Sequence, residues 1–496
     1  MANLLNIPLE VLLQITSHLT TPEYGYLRRT CKQIEALLFG AFAREFFSKR
    51  QFALLEFSIQ ALVDIAKSRL GPSLTHLIIH LEHPDYYASP GGDDAYVRWN
   101  QYHAESASHW EFITTGLDVD MLSEAFSHLP NLETIGMRDF YSKTRRRDGT
   151  AWNSYGCPTL RAKTDMNLVI PKPDTGVFRR SDSSEYTNHV FLTILRVMGH
   201  AAVSGWNPKL TRMEVLLHFC GLRDQSFKIP DRFDTAISLA LSKLTTIFLD
   251  NLSEERIYFW ARDIHGRADP VASLGYFLSR FLTRAPALDH LRLNLQAYST
   301  RATEDFLLWL AGARTDSTDP MRKPEESLAS ANDTDSLPAL FPPAPEFPRL
   351  KTIEIGMATV EPFVLLALYK RYKATLEGVS LHKVALSPRN PDAKSNALAR
   401  LCNSMADADL QLRSVMLSYI HQKMPASNID ITFRESRNPH VKIWKGSTFV
   451  QSVKDITDEM VFHYVSGDNT SDSDSDDDDD DDGDESMDDG DDDDEV

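Results

Sequence analysis

LTHLII (74–79), LETIGM (132–137), LTRMEV (210–215), LTTIFL (244–249), LDHLRL (288–293), LKTIEI (350–355), LEGVSL (376–381) and LRSVML (412–417) share one apolar frame, L-x-x-L-x-L with apolar replacements. In each stretch the second and third frame positions are two residues apart, the spacing of a strand with one buried face. Five copies carry a proline two residues ahead of the first leucine: Pro72, Pro130, Pro208, Pro286 and Pro348. Proline there breaks the preceding element and starts a turn. Helical periodicity precedes several copies: Ile59, Leu62, Val63 and Ala66 before the first, Ala236, Ala240 and Leu241 before the fourth, Leu274, Phe277, Leu278 and Phe281 before the fifth, and PFVLLALYKRYKA before the seventh. Helix, turn, short strand, repeated, predicts units that bury their apolar edges by stacking.

The order is irregular. First leucines are separated by 58, 78, 34, 44, 62, 26 and 36 residues. Three polar, Gly/Pro-punctuated stretches lengthen the intervals and are expected to be disordered insertions: residues 83–108, 142–175 (with Lys143, Arg145, Arg146 and Arg147) and 312–348. The arrangement resembles the leucine-rich repeat. That resemblance implies an Asn or Cys eight residues after the first leucine, and those positions hold Glu82, Phe140, His218, Leu252, Gln296, Ala358, Val384 and Ile420 instead. Without that side-chain ladder, a uniform turn is not expected. Two readings therefore stand side by side over 46–466: a degenerate repeat solenoid, and an irregular α/β domain in which the frame marks only buried strands.

Ahead of this body, residues 1–45 carry two apolar stripes at helical spacing. Pro8, Val11, Leu12, Ile15 and Leu19 form the first; Tyr24, Leu27, Cys31, Ile34 and Leu38 form the second. Pro8 suits a helix start, and Thr21-Pro22-Glu23 reads as a second start. So short a unit, with no metal ligands and no disulfide, needs a covering surface. Either a partner or the chain's own following domain supplies it. The segment Ile7-Pro8, Glu10, Val11, Leu12, Ile15, Leu19, then Leu27-Arg28-Arg29-Thr30-Cys31-Lys32, resembles the F-box, and the stretch to about residue 82 is similar to F-box proteins common in filamentous fungi. The resemblance implies docking on the SKP-type adaptor of a cullin–RING (SCF-type) ubiquitin ligase through Ile7, Pro8, Val11, Leu12, Ile15, Leu19, Leu27 and Cys31. It also implies a target protein held by the repeat domain.

The chain of 496 residues has a formal charge of −19, yet residues 468–496 hold 19 of its 71 Asp and Glu and no Lys or Arg. The remaining 52 acidic residues balance 52 Lys and Arg, so the body is neutral and the charge belongs to one tail. A neutral body argues against direct nucleic-acid binding, which needs clustered cations to displace counterions. Residues 467–496 are too densely like-charged to fold. Ser471, Ser473, Ser475 and Ser486 each precede an Asp by three residues, a spacing that resembles acidophilic, casein-kinase-like phosphorylation sites. The tail is read either as a solubilising brush or as a contact for a basic protein such as a histone.

Four scattered cysteines suit a reducing compartment, no signal peptide is read, and apolar runs such as FVLLALY (363–369) are too short to span a bilayer, so a cytoplasmic or nuclear protein is expected. His76, His80 and His83 lie close together but lack a completing cysteine or carboxylate set, and are read as solvent-facing rather than metal-binding. No phosphate-binding loop and no nucleophile elbow occurs. The expectation is mixed α/β: an all-α N-terminal module, an α/β repeat-like body and an acidic tail. The resemblance implies a substrate receptor and not an enzyme, and no cofactor, metal or membrane is expected. The alternative is an interaction protein outside any ligase whose tail recruits basic nuclear proteins.

Overall fold

The computed structural model describes residues 4, 7–84, 95–142, 147, 149, 152–164, 168–170, 182–250, 252–253, 275–295, 300–313, 342–388, 395–424, 428–434, 436–446 and 449–465. The acidic tail, its four candidate phosphorylation sites and most of the 312–348 insertion lie outside the described residues.

The N-terminal module holds three helices, where the two stripes predict two: α1 (Leu9–Ser17), α2 (Thr21–Arg29) and α3 (Lys32–Phe47). Pro8 stands at the N-cap of α1 rather than inside it. α2 starts on a capping box in which the Thr20 hydroxyl accepts from the Glu23 N–H, and the Glu23 carboxylate accepts from the Thr20 N–H at 2.9 Å. The second stripe breaks because Cys31 is extended (φ −157°) and caps α3, its sulfur accepting from the Ile34 N–H. Leu12, Tyr24, Ile34, Leu38 and Phe46 close into a small core of their own, separate from the main one.

In the body, all eight copies of the frame become strands, each starting two residues after its first leucine: β2 (His76–His80), β3 (Thr134–Arg138), β4 (Arg212–Leu216), β6 (Thr246–Leu249), β8 (His290–Asn294), β9 (Thr352–Gly356), β11 (Gly378–His382) and β13 (Ser414–Ser418). They lie side by side in chain order, parallel, in one ten-stranded sheet. The register is also that of the frame: His76 pairs with Thr134, Thr134 with Arg212, and so on through Thr246, His290, Thr352, Gly378 and Ser414. Two strands without the frame close the edges: β1 (Lys49–Ala53), parallel to β2, and β16 (Val441–Lys445), antiparallel to β13.

Short strands follow some of these. β5 (Leu222–Arg223) pairs with β7 (Leu252–Ser253). β10 (Thr359–Val360), β12 (Ala385–Leu386) and β14 (His421–Lys423) form a second sheet, extended by the antiparallel β15 (Asn428–Phe433) and β17 (Met460–Val465).

Parallel neighbours require crossovers, and helices supply them: α4 (Glu56–Lys67), α5 (Ala95–Thr114), α6 (Leu117–Phe126), α7 (Cys157–Thr164), α8 (Asp182–Ser204), α9 (Asp231–Leu241), α10 (Tyr276–Leu282), α11 (Thr300–Leu310), α12 (Pro362–Arg371) and α13 (Ala397–Asp407), with α14 (Phe449–Asp458) after β16. α4, α6, α8 and α9 pack in succession, as do α11 to α14. The core lies between this helical layer and the sheet. It takes every first leucine of the frame and the inward strand residues, for example Leu291, Leu293, Ile353 and Ile355.

Two expectations change here. The stretch 83–108, read as a disordered insertion, holds the first part of α5, whose Tyr102 is buried. The stretch 142–175 holds α7 and a bridge from Tyr155 to Phe52 on β1. Polar composition hid both because each buries only a few side chains. A backbone ladder runs at the entrance of the strands, away from the turn where the Asn or Cys is expected. The N–H one residue after each first leucine donates to the carbonyl of the equivalent residue in the preceding copy, as in Glu133 to Thr75 (2.8 Å), Lys351 to Asp289 (2.7 Å) and Arg413 to Glu377 (2.6 Å). The last three copies share one turn after all: Met357, Lys383 and Tyr419 take the left-handed region (φ 52°, 50° and 52°), and the next residue, Ala358, Val384 or Ile420, is buried.

Candidate functional site

The first surface lies on α1. Successive residues of an α-helix are separated by about 100°, so Val11 and Leu12 diverge. Leu12 is fully buried in the module core, whereas Val11 and Ile15 are 43% and 40% exposed. Pro8 and Leu9 are exposed beside them, and Leu37 on α3 is also uncovered. Ile7, Leu19 and Leu27 are half-buried against the module core, and Cys31 is exposed. Leu12 is therefore corrected from a docking residue to a core residue, because its stripe is split between an inner and an outer side.

The module is fastened to the body by charge. Arg69, just after α4, donates to the Glu35 carboxylate on α3, and Arg28 donates to the same group at 3.0 Å. This holds the Glu35 carboxyl below its ordinary value, the Arg69 hydrogen bond first. From the far side Arg147 reaches Glu45 (2.5 Å) and the Thr16 carbonyl, with its guanidinium 4.4 Å from the Tyr24 ring centre. Trp152 packs on Phe46, and Arg50 lies 4.7 Å over its ring. Arg147 is thus no free basic contact; its neighbours Arg145 and Arg146 lie outside the described residues.

The second surface is the face of the sheet turned away from the helices. It is built from the two x positions that flank the second frame residue, which the strand alternation points outward. His76 (3.5 Å), Arg138 (3.9 Å) and Arg212 (2.6 Å) converge on Glu214. Arg212 and Arg292 lie over the Phe248 ring, Arg292 pairs with Asp250 at 2.9 Å, and His290 pairs with Glu354 at 2.6 Å. Burial, then the cations Lys49, Arg138 and Arg212, press the His76 imidazole well below its ordinary value. Burial works to raise the Glu354 carboxyl, but His290, Arg292 and Arg212 outweigh it and hold it low. The face opens along the chain: Ile78, Gly136, Glu214 and Phe248 are buried, whereas Arg292, Glu354, Ser380 and Met416 are half-exposed. The frame reading found the inward leucines and missed this ladder, although the same alternation assigns it.

The histidines read as solvent-facing are not. His80 and His83 are buried and His76 is half-buried. His80 and the Cys157 thiol both meet the Glu82 carboxylate, each at 2.9 Å. Burial and the Glu82 charge push the Cys157 thiol far up, which keeps it protonated and unlike an activated nucleophile. Among the described residues no group of three or more His, Cys, Asp or Glu is placed to hold a metal ion, and no helix is long and apolar enough to cross a membrane.

The described residues thus form a helical module with a bare apolar row, ion-paired to a parallel α/β scaffold. A scan against protein families matches residues 4–38 to the F-box domain. An F-box domain is in general the mark of a substrate receptor in an SCF ubiquitin ligase, where it binds the SKP-type adaptor. A search of curated proteins finds no match to this chain.

Proposed function

We propose that the chain is the substrate-receptor subunit of an SCF-type cullin–RING ubiquitin ligase. Pro8 at the N-cap of α1 and Leu9, Val11 and Ile15 on it, with Cys31 and Leu37, meet the SKP-type adaptor; Ile7, Leu19 and Leu27 support them from below. One observation carries the reading: the module satisfies its own core with Leu12 and still leaves this row uncovered. An exposed apolar row beside a complete core is an interface awaiting its partner.

The body is read as a degenerate leucine-rich-repeat-like solenoid, on the strength of a register that follows the frame across all eight strands. This repeat domain takes the target protein. Catalysis resides in the ligase machinery, and the receptor contributes proximity, raising the effective concentration of target lysines. Cytoplasmic or nuclear residence follows from that role.

The test is co-purification of the full chain with an SKP-type adaptor. Wild type is retained and the Val11→Asp/Ile15→Asp variant is lost, with unchanged thermal unfolding; equal retention of both ends the proposal. Leu12→Asp is unsuited as the control because it buries a charge in the module core. The alternative, an interaction protein outside any ligase, predicts no adaptor capture and a salt-sensitive histone contact that disappears when 468–496 are deleted.

A further inference from the structure

Charge is unevenly spread along the body. Residues 349–465 carry 16 Lys and Arg against 11 Asp and Glu, an excess of positive charge immediately ahead of a tail with 19 acidic residues. Part of that excess gathers at one place in the fold, the C-terminal end of the large sheet. β16 is its last strand and pairs on one side with β13. Lys445 and Ile443 point to the outer face there, and both are exposed, Ile443 at 57%. The loop that leads into β16 carries Arg434 and Arg437, both exposed. Arg434, Arg437 and Lys445 have no carboxylate partner among the described residues, in contrast to Lys442 beside them, which is paired with Glu459 at 2.5 Å. An edge strand with outward lysine and unpartnered arginines at its approach suits an extended acidic segment, which would add backbone hydrogen bonds to charge pairing.

We propose that this cap is the docking surface for the chain's own Asp-rich tail, residues 468–496. The connection makes it the favoured occupant. β17 ends at Val465, paired with Asn428, while the other end of the same ladder pairs Met460 with Phe433, next to Arg434. Val465, the last described residue before the tail, therefore lies about 17 Å along the strand from the end beside Arg434, at ~3.3 Å per residue. The reach of the tail when extended is close to 100 Å. Tethering at that distance gives an effective concentration in the millimolar range, above that of a typical free competitor. A docked tail covers the most open end of the sheet's outer face and competes there with acidic ligands in trans. This surface does not depend on the adaptor reading and stands or falls separately from it.

Zero-length carbodiimide cross-linking of the full chain tests it, since the reagent joins a lysine amine to a carboxylate in contact. An equal mixture of isotopically light and heavy protein separates intramolecular from intermolecular links. At ~50 mM salt the tail links intramolecularly to Lys445 at least about fivefold more than to the distant exposed Lys32 and Lys209, and the preference disappears at ~500 mM. Arg434→Glu/Arg437→Glu lowers the Lys445 links about threefold or more; both side chains are exposed, and an unchanged melting temperature verifies the fold. Links spread evenly over the lysines, links that join heavy to light chains, or indifference to the double variant would each overturn the proposal.

Discussion

The N-terminal module and the scaffold are both built on leucine-rich stripes, yet they treat them oppositely. In the scaffold the frame residues point one way: all eight first leucines, and partners such as Leu291 and Ile353, are buried. In the module neighbouring residues of one stripe part company, Leu12 inward, Val11 and Ile15 outward. Strand alternation with a period of two leaves no ambiguity about sides. A nine-residue helix with five apolar positions has more apolar surface than a three-helix core can cover. The surplus stays exposed as Val11 and Ile15, the row proposed above to meet the adaptor. Size decides which stripes close into core and which remain bare.

The sharpest way to break this contrast is substitution to alanine measured by chemical denaturation. Leu291→Ala in the scaffold is expected to cost about 3–4 kcal/mol, and Leu12→Ala in the module about 2–3 kcal/mol, through lost transfer energy and a residual cavity. Val11→Ala, one residue away, is expected to cost less than about 0.5 kcal/mol. A large loss at Val11 would show that the row is core after all.

Next in size is binding. Val11→Asp/Ile15→Asp is expected to weaken the adaptor at least about 100-fold, or ~2.7 kcal/mol, by titration calorimetry. A loss under about threefold would place the interface elsewhere.

Acid separates the two regions by about 2 kcal/mol. The scaffold buries His109, whose Nε2–H donates to the Leu54 carbonyl at 3.0 Å. Burial, then the neighbouring His83, push its imidazole down to about 3. A base whose folded value is depressed below the unfolded ~6.5 contributes fully above that pH and loses its contribution as pH falls towards the folded value. By pH 5 the scaffold should lose on the order of 2 kcal/mol. Regional hydrogen exchange should show α5 and β1 loosening while α1–α3 hold. His109→Gln should flatten the acid limb; an unchanged profile would clear His109 of the effect.

The smallest test concerns the turns. Met357 sits at a positive φ of 52° without being glycine. Met357→Gly should therefore gain about 0.5–1 kcal/mol, despite the greater freedom of glycine in the unfolded chain. A loss would mean the Met357 side chain contributes packing that outweighs the strain.

Much of the scaffold was legible because its signal is local. Six residues carry a strand, its buried side and its place in the register, and LKTIEI or LRSVML needs no distant context to be read so. The helices preceding the fourth, fifth and seventh copies were legible for the same reason. β1 was not, because KRQFA carries no frame and is a strand only by pairing with β2. α5 was not, because its polar, aromatic sequence buries a few side chains supplied with partners from distant segments, such as His109 against Leu54. The turn shared by Met357, Lys383 and Tyr419 was hidden because main-chain bonds hold it, Met357 N–H to the His382 carbonyl (2.8 Å) and Lys383 N–H to the Ser418 carbonyl (2.9 Å), and no residue type marks them. On α1 the stripe was visible, but not its division.

From sequence alone came the frame, the neutral body beside a charged tail and the two apolar stripes of residues 1–45, while the choice between a repeat solenoid and an irregular α/β domain stayed open. Frame, charge and stripes depend on periodicity and composition, which act over a few residues. Tertiary contacts set Leu12 inward with Val11 bare, brought Arg147 onto Glu45 of the module, and left Arg434, Arg437 and Lys445 without a carboxylate partner among the described residues in and just before β16. Each of these depends on what another part of the chain brings within a few ångströms, and burial and charge pairing exist only once those distances are set.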